Sequence, residues 1–74
     1  MRIERITANP AVAAGKACIR NLRFPVSRLL GLLASGESMD SILQNYPYLE
    51  AADIDAALLY AVYLAEDETV ELNQ

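Results

Sequence analysis

The fold is decided by residues 25–47, which read PVSRLLGLLASGESMDSILQNYP. Four apolar residues in the first half recur at i, i+3, i+4 and i+7, the spacing of a helix that packs one face against a core. They are Val26, Leu29, Leu30 and Leu33. Pro25 has the fixed φ that suits a first helical turn, and Gly36 supplies a C-terminal stop, so a first helix is predicted between them.

A second, shorter helix follows directly. Ser38 is a preferred N-cap residue, and Asp40 in the first turn complements the helix dipole. The predicted buried positions of this helix are Met39, Ile42, Leu43 and Tyr46. Pro47 disfavours helical geometry in the residue before it, so the helix should end near Tyr46.

The third helix is predicted from about Ala51 to Ala65 and has a surplus of apolar surface. Its residues 56–65 carry no polar group except two tyrosine hydroxyls. One stripe can face the core and consists of Ile54, Leu58, Ala61 and Ala65. The remaining stripe is a predicted oligomer or partner interface and contains Leu59, Tyr60, Tyr63 and Leu64. We expect a homodimer or higher homo-oligomer; the alternative is that the N-terminal arm covers this face.

The N-terminal third of the chain is interpreted as an arm. Asn9-Pro10 and Gly15-Lys16 are turn signals, and β-favouring residues follow the second of them. The sequence therefore predicts a mainly α fold: a three-helix helix-turn-helix core with a short N-terminal β-hairpin or extended arm. Seventy-four residues suffice for a single domain. Its predicted parts are the arm at residues 1–24, the core at 25–66 and an acidic tail at 67–74.

The composition excludes most familiar catalysis. The chain has no His and one Cys, so a single copy cannot build an imidazole acid–base pair, a disulfide or a typical zinc site. We therefore expect a non-enzymatic protein without a cofactor or metal, in which Cys18 packs as a small hydrophobe. The longest uncharged apolar run is ten residues, against the ~20 that span a bilayer. With no recognisable secretory leader, this predicts a cytoplasmic protein that does not associate with membranes.

Charge is divided between the two halves of the chain. All six basic residues precede Leu29, while nine of the ten acidic residues follow it. A basic arm is predicted to bind DNA or a partner through Arg5, Lys16, Arg20, Arg23 and Arg28. The alternative is that these cations pair with the acidic half of the same or a neighbouring chain. An acidic partner-binding set is predicted from Glu66, Asp67, Glu68 and Glu71.

The third helix is unsuited to reading DNA, although the last helix of a helix-turn-helix usually enters the major groove. Base edges and phosphates are contacted mainly by Arg, Lys, Asn and Gln. Here the helix would present acids instead, namely Asp53, Asp55, Glu66 and Asp67. Any contact with DNA is therefore expected from the basic arm.

Several motifs carry a resemblance to a known family. They are RITANPAV at residues 5–12, GKACIRNLRFPV at 15–26, a leucine-rich helix that ends in Ala34-Ser35-Gly36, and Tyr46-Pro47. Together they make residues 5–65 resemble the bacterial family catalogued as domain of unknown function 433. The resemblance implies a homeodomain-like helix-turn-helix fold and a role as the antitoxin of a type II toxin–antitoxin pair, beside a PIN-like ribonuclease toxin.

The leading functional hypothesis is thus a non-enzymatic antitoxin-like adaptor that binds a partner protein and, through its basic arm, DNA. The alternative is a stand-alone helix-turn-helix transcriptional regulator. The chain departs from the family pattern at three positions, where Ala17, Asn21 and Leu22 replace the usual Pro, Gly and Thr. Because Asn adopts left-handed backbone geometry more easily than most residues, we expect the turn at Asn21 to persist.

Overall fold

The computed structural model describes the backbone of residues 3–72 and the side chains of residues 3–12 and 14–66. Two short strands precede three helices. Strand β1 (Ile6–Ala8) is followed by a 3₁₀ turn at Ala13–Gly15 and by β2 (Ala17–Ile19). The helices are α1 (Val26–Ala34), α2 (Met39–Asn45) and α3 (Ala51–Leu72). The predicted mainly α fold, with three helices and a short N-terminal hairpin, is therefore confirmed.

The two strands form an antiparallel hairpin that packs on the helices. Ile6 pairs with Ile19, and Ala8 pairs with Ala17. Ile19 is completely buried, and Ile6 packs against the same core. A two-stranded hairpin is marginal by itself in water, so its stability here depends on this apolar contact with the helices.

The connection between α1 and α2 follows the predicted signals. Gly36 has a φ of +97°, which residues with a side chain rarely adopt, and so it ends α1. Ser38 caps α2, since its Oγ accepts a hydrogen bond from the Ser41 backbone N–H at 3.0 Å. Ile42 is buried in the core as predicted, whereas Met39 is exposed and the prediction of its burial was wrong. Met39 lies in the first turn of α2, at the edge of the core.

Helix α3 is longer than predicted, and it is rotated about its axis relative to the predicted orientation. It continues to Leu72 rather than ending near Ala65, because no Pro or Gly interrupts the helix-favouring residues that follow. Ile54 faces the core as expected, but Leu58 is 44% exposed, so its assignment to the buried stripe was wrong. Ala57 is completely buried instead. The inward face is centred nearer the start of the helix, where Asp53 also points inside.

The core draws residues from the hairpin and all three helices. Its largest buried side chains are Ile19, Phe24, Leu29, Ile42 and Ile54. Cys18 is buried beside them, as expected for a small apolar side chain. Within residues 3–72, no helix combines the length and the apolar character needed to cross a membrane. The outcome is one apolar cluster that fixes the hairpin against the start of α3.

Candidate functional site

A single buried carboxylate joins the hairpin to α3. Asp53 has no solvent exposure. Its Oδ1 accepts hydrogen bonds from Arg5 Nη1 at 2.9 Å and from Arg20 Nε at 3.0 Å. Its Oδ2 accepts from Arg20 Nη2 at 2.9 Å and from the Glu50 backbone N–H at 2.8 Å. These donors replace the water that the carboxylate loses, and without them its burial would be strongly unfavourable.

The same residues begin α3. Glu50 occupies the N-cap position and Asp53 the third helical position, so the hydrogen bond from the Glu50 backbone N–H to Asp53 is half of a capping box. The Glu50 carboxylate also accepts from Arg5 Nη1 at 2.7 Å. Arg5 therefore bridges two acids at the start of one helix. This arrangement supplies a cap that Glu50 alone would provide poorly.

The ionisation of Asp53 reflects the balance between burial and these hydrogen bonds. Burial by itself raises the pKa of the carboxyl. Hydrogen bonds from the Arg20 side chain, the Glu50 backbone and the Arg5 side chain outweigh it and lower the pKa of Asp53 from 3.8 to about 2. Asp53 is consequently an anion at neutral pH. A carboxylate held so firmly in this state is a structural anchor and a poor proton donor or acceptor near pH 7.

A strained turn presents Arg20 to Asp53. Arg20 and Asn21 both have left-handed backbone geometry, with φ of +46° and +59°, and the Leu22 N–H closes the turn onto the Ile19 carbonyl at 2.7 Å. Left-handed geometry is unfavourable for Arg. It is offset here because the Arg20 side chain makes a bidentate contact with Asp53 and also donates to the Tyr48 carbonyl at 2.9 Å. The persistence of the turn at Asn21 is confirmed.

This turn yields a matched pair of predictions. Asn21→Ala should lower the free energy of unfolding by about 1 kcal/mol, since Ala bears the full steric penalty of left-handed geometry, whereas Asn21→Gly should leave it unchanged or raise it. Both variants retain the backbone N–H that donates to Thr7 Oγ1 at 2.8 Å. Urea unfolding followed by circular dichroism measures the difference. Equal stability of the two variants would show that the backbone geometry of the turn is unimportant.

The other predicted basic residues are arranged differently from Arg5 and Arg20. The Arg28 guanidinium lies over the rings of Phe24 and Tyr46, at 5.1 and 5.2 Å from their centroids, and donates to the Tyr46 hydroxyl at 3.0 Å. Lys16 and Arg23 are exposed. Lys16 borders a groove of about 330 Å³ between β2, the start of α1 and α3. The predicted basic arm is therefore divided into two structural arginines and three exposed cations.

The outward side of α3 is strongly apolar. Leu58, Leu59 and Val62 are 44%, 43% and 50% exposed on this side. Leu64 is 42% exposed but lies on the inner side, seven residues after the buried Ala57, where it lines the groove beside Lys16. Of the predicted interface residues, Leu59 and Leu64 are thus exposed, while Tyr60 is partly buried against the core and Tyr63 is partly buried. The hairpin borders Tyr60 and Leu64 at the groove, whereas Leu58, Leu59 and Val62 are left exposed. An apolar surface of this kind on a short chain is typical of a contact with another molecule.

The structure describes the side chain of one of the four acids predicted to bind a partner. Glu66 is exposed on α3, whereas the side chains of Asp67, Glu68 and Glu71 lie outside the described residues. Asp53 was expected on the surface and is fully buried, so that expectation was wrong. The missed signal was the spacing Glu50-x-x-Asp53 at a helix start, which is compatible with a capping box.

Comparisons with known proteins identify the family. The model of a family of proteins of unknown function, DUF433, matches residues 6–61. The chain belongs to the DUF433 family. A crystal structure of a DUF433 member from Anabaena variabilis superposes with a TM-score of 0.77 at 37% identity, over 95% of this chain and 69% of that one. An uncharacterized protein of Sinorhizobium fredii, y4eO, is 33% identical over 58 residues, which is 78% of this chain. The chain spans 26% of the length of y4eO.

The segment that matches the family contains most of the elements described above. The matched segment begins in β1 and ends within α3, so it contains the hairpin, the left-handed turn, Asp53 and the first half of the outward face of α3. The fold of this DUF433 chain is thus shared with a solved member.

Proposed function

We propose that this DUF433 chain is a non-enzymatic, antitoxin-like adaptor that binds a partner protein through α3. The observation that carries the proposal is the exposure of three large apolar side chains on the outward side of one helix, Leu58, Leu59 and Val62. Burying a side chain of this size stabilises a complex by roughly 1.5–3 kcal/mol before the costs of association. A partner protein is the natural means of removing this surface from water.

The proposed partner class is based on charge and on the antitoxin role that the resemblance to DUF433 implies. A ribonuclease attracts RNA with a cationic surface, and an acidic segment can occupy such a surface and exclude the substrate. Nine of the ten acids of this chain follow Leu29, among them Glu66, Asp67, Glu68 and Glu71. The proposed partner is a PIN-like ribonuclease toxin, neutralised by electrostatic competition without any catalysis.

Co-expression with a PIN-like ribonuclease toxin tests this proposal. The wild-type chain should restore growth to cells that produce the toxin, whereas the variant carrying both Leu59→Glu and Val62→Glu should not, because charge replaces the apolar contact. Met39→Glu is the matched control, since Met39 is 39% exposed on α2 and outside the proposed surface. Full lethality beside folded wild-type protein, or equal protection by the double variant, would contradict the proposal.

DNA binding is a second candidate function, as in a stand-alone regulator. It is supported by the exposure of Lys16, Arg23 and Arg28, three cations that make no ion pair with the described residues. It is weakened because Arg5 and Arg20 are already paired with acids. Affinity contributed by so few phosphate contacts should be modest and should fall as salt is added. A gel shift at low salt that disappears at high salt would support it, and no shift at low salt would exclude it.

A further inference from the structure

The outward side of α3 has a charge pattern as well as apolar residues. Asp55, Leu59, Val62 and Glu66 recur at i, i+4, i+7 and i+11, so they share one face of the helix. All four are exposed. At a rise of 1.5 Å per residue, the two acids are separated by about 16 Å along the axis. We call this acid–apolar–apolar–acid face the α3 outer stripe.

The α3 outer stripe points away from the rest of the domain. Asp53, Ile54 and Ala57 turn the opposite side of the helix toward the hairpin and the core. Arg5 and Arg20 contact Asp53 on that inner side. Lys16 borders the groove lined by Tyr60 and Leu64, which is also on the inner side. Asp55 and Glu66 form no ion pair with the described residues. The two negative charges of the α3 outer stripe are therefore available to a molecule that packs against it.

A second copy of the chain is a poor occupant of this face. In an antiparallel pairing of two α3 helices centred between Leu59 and Val62, Asp55 of each copy lies opposite Glu66 of the other. In a parallel pairing, each acid lies opposite its own equivalent. Both aligned pairings centred on the apolar residues thus place like charges together, which disfavours self-association through this face.

We infer that the α3 outer stripe is a docking site for a helix of a different protein, with apolar residues in the middle and a Lys or Arg at each end of its contact face. Such a helix buries Leu59 and Val62 and meets Asp55 and Glu66 with opposite charge. Amphipathic helices dock through apolar residues three or four positions apart, and Leu59 and Val62 are separated by three. The inference rests on the proposed function, since it specifies the chemistry of the protein that the adaptor binds.

Two synthetic peptides test this inference against the full chain. Each is a labelled amphipathic helix of about 15 residues with two central Leu, long enough to form helix on binding. They differ only at the two flanking positions of the contact face, which are Lys in one peptide and Glu in the other. Fluorescence anisotropy at low salt should show that the Lys peptide binds about tenfold more tightly. The preference should shrink as salt is added.

Charge reversal on the protein provides the matched variant. The variant carrying Asp55→Lys and Glu66→Lys should prefer the Glu peptide, and the variant carrying Leu59→Glu and Val62→Glu should lose binding of the Lys peptide. Circular dichroism of each variant verifies that it is folded. Equal binding of the two peptides, or no binding of the Lys peptide, would overturn the inference.

Sedimentation of the wild-type chain completes the test. The charges of the stripe predict a monomer at micromolar concentration, in place of the homo-oligomer expected from the apolar residues alone. A dimer abolished by Leu59→Glu would assign this face to self-association instead. Protection of cells by wild-type chain, combined with no charge preference among the peptides, would leave the adaptor function standing and refute only the docking chemistry. If the wild-type chain fails to protect cells and the peptides also show no charge preference, the proposed function is refuted as well.

Discussion

Asp53→Ala is expected to lower the free energy of unfolding by about 3 kcal/mol, which is most of the stability of a domain this small. The substitution removes the acceptor of hydrogen bonds from Arg5, Arg20 and the Glu50 backbone. The two guanidinium groups then lose their shared counterion, and α3 loses its cap. The left-handed geometry of Arg20 also loses the contact that offsets it.

Urea unfolding followed by circular dichroism at pH 7 measures this effect. Asp55→Ala is the matched control, because Asp55 is an exposed acid two positions further along the same helix and should tolerate the change within about 0.5 kcal/mol. If Asp53→Ala shows no cooperative unfolding transition, the variant has lost its stable fold, which is the largest effect consistent with the prediction. Equal stability of the two variants would show that Asp53 does not anchor the hairpin to α3.

Acidification is expected to remove about 2 kcal/mol of stability through Asp53 alone. Its pKa in the folded chain is about 2, below the ordinary value of 3.8 that it regains on unfolding. The unfolded state therefore binds the proton more readily, so the stabilisation is complete above pH 4 and is lost as the pH falls toward 2. The loss reflects protonation of the carboxylate that the two arginines require as an anion.

Asp53→Asn isolates this contribution from that of the other acids. The variant lacks the titrating group but retains most of the side-chain shape, and every other carboxyl is common to both proteins. Between pH 5 and pH 2, the wild-type chain should lose about 2 kcal/mol more than the variant, as determined from urea unfolding at each pH. Parallel pH profiles for the two proteins would contradict a lowered pKa of Asp53.

The first turn of α3 and the middle of the helix have different roles. The first turn is fixed to the domain through Glu50, Asp53 and Ile54, which are held by the hairpin arginines and the core. The outward residues Leu58, Leu59 and Val62 remain exposed. A surface for docking needs a rigid support, and the buried anchor at the start of the helix provides one.

Local sequence signals predicted the helices because the signals act within a few residues. Ser38 caps α2 through a backbone group three positions away, and Gly36 ends α1 by its own backbone geometry. The sequence did not predict the extension of α3 to Leu72, because the acidic residues after Ala65 resemble a solvated tail. No Pro or Gly interrupts this segment, and it continues the helix. The exposure of Leu58 was missed because an apolar helix has no polar side to define its rotation.

Apolar spacing and turn residues by themselves determined the number of helices and the presence of the hairpin. They also showed that α3 has more apolar surface than one small core can cover. Tertiary structure decided which cations are structural and which face of α3 is turned outward. Arg5 and Arg20 meet Asp53 across 48 and 33 positions of sequence, a pairing that no local pattern encodes. Burying that carboxylate requires both arginines at once, and the requirement fixes the rotation of α3 and leaves Leu59 and Val62 in water.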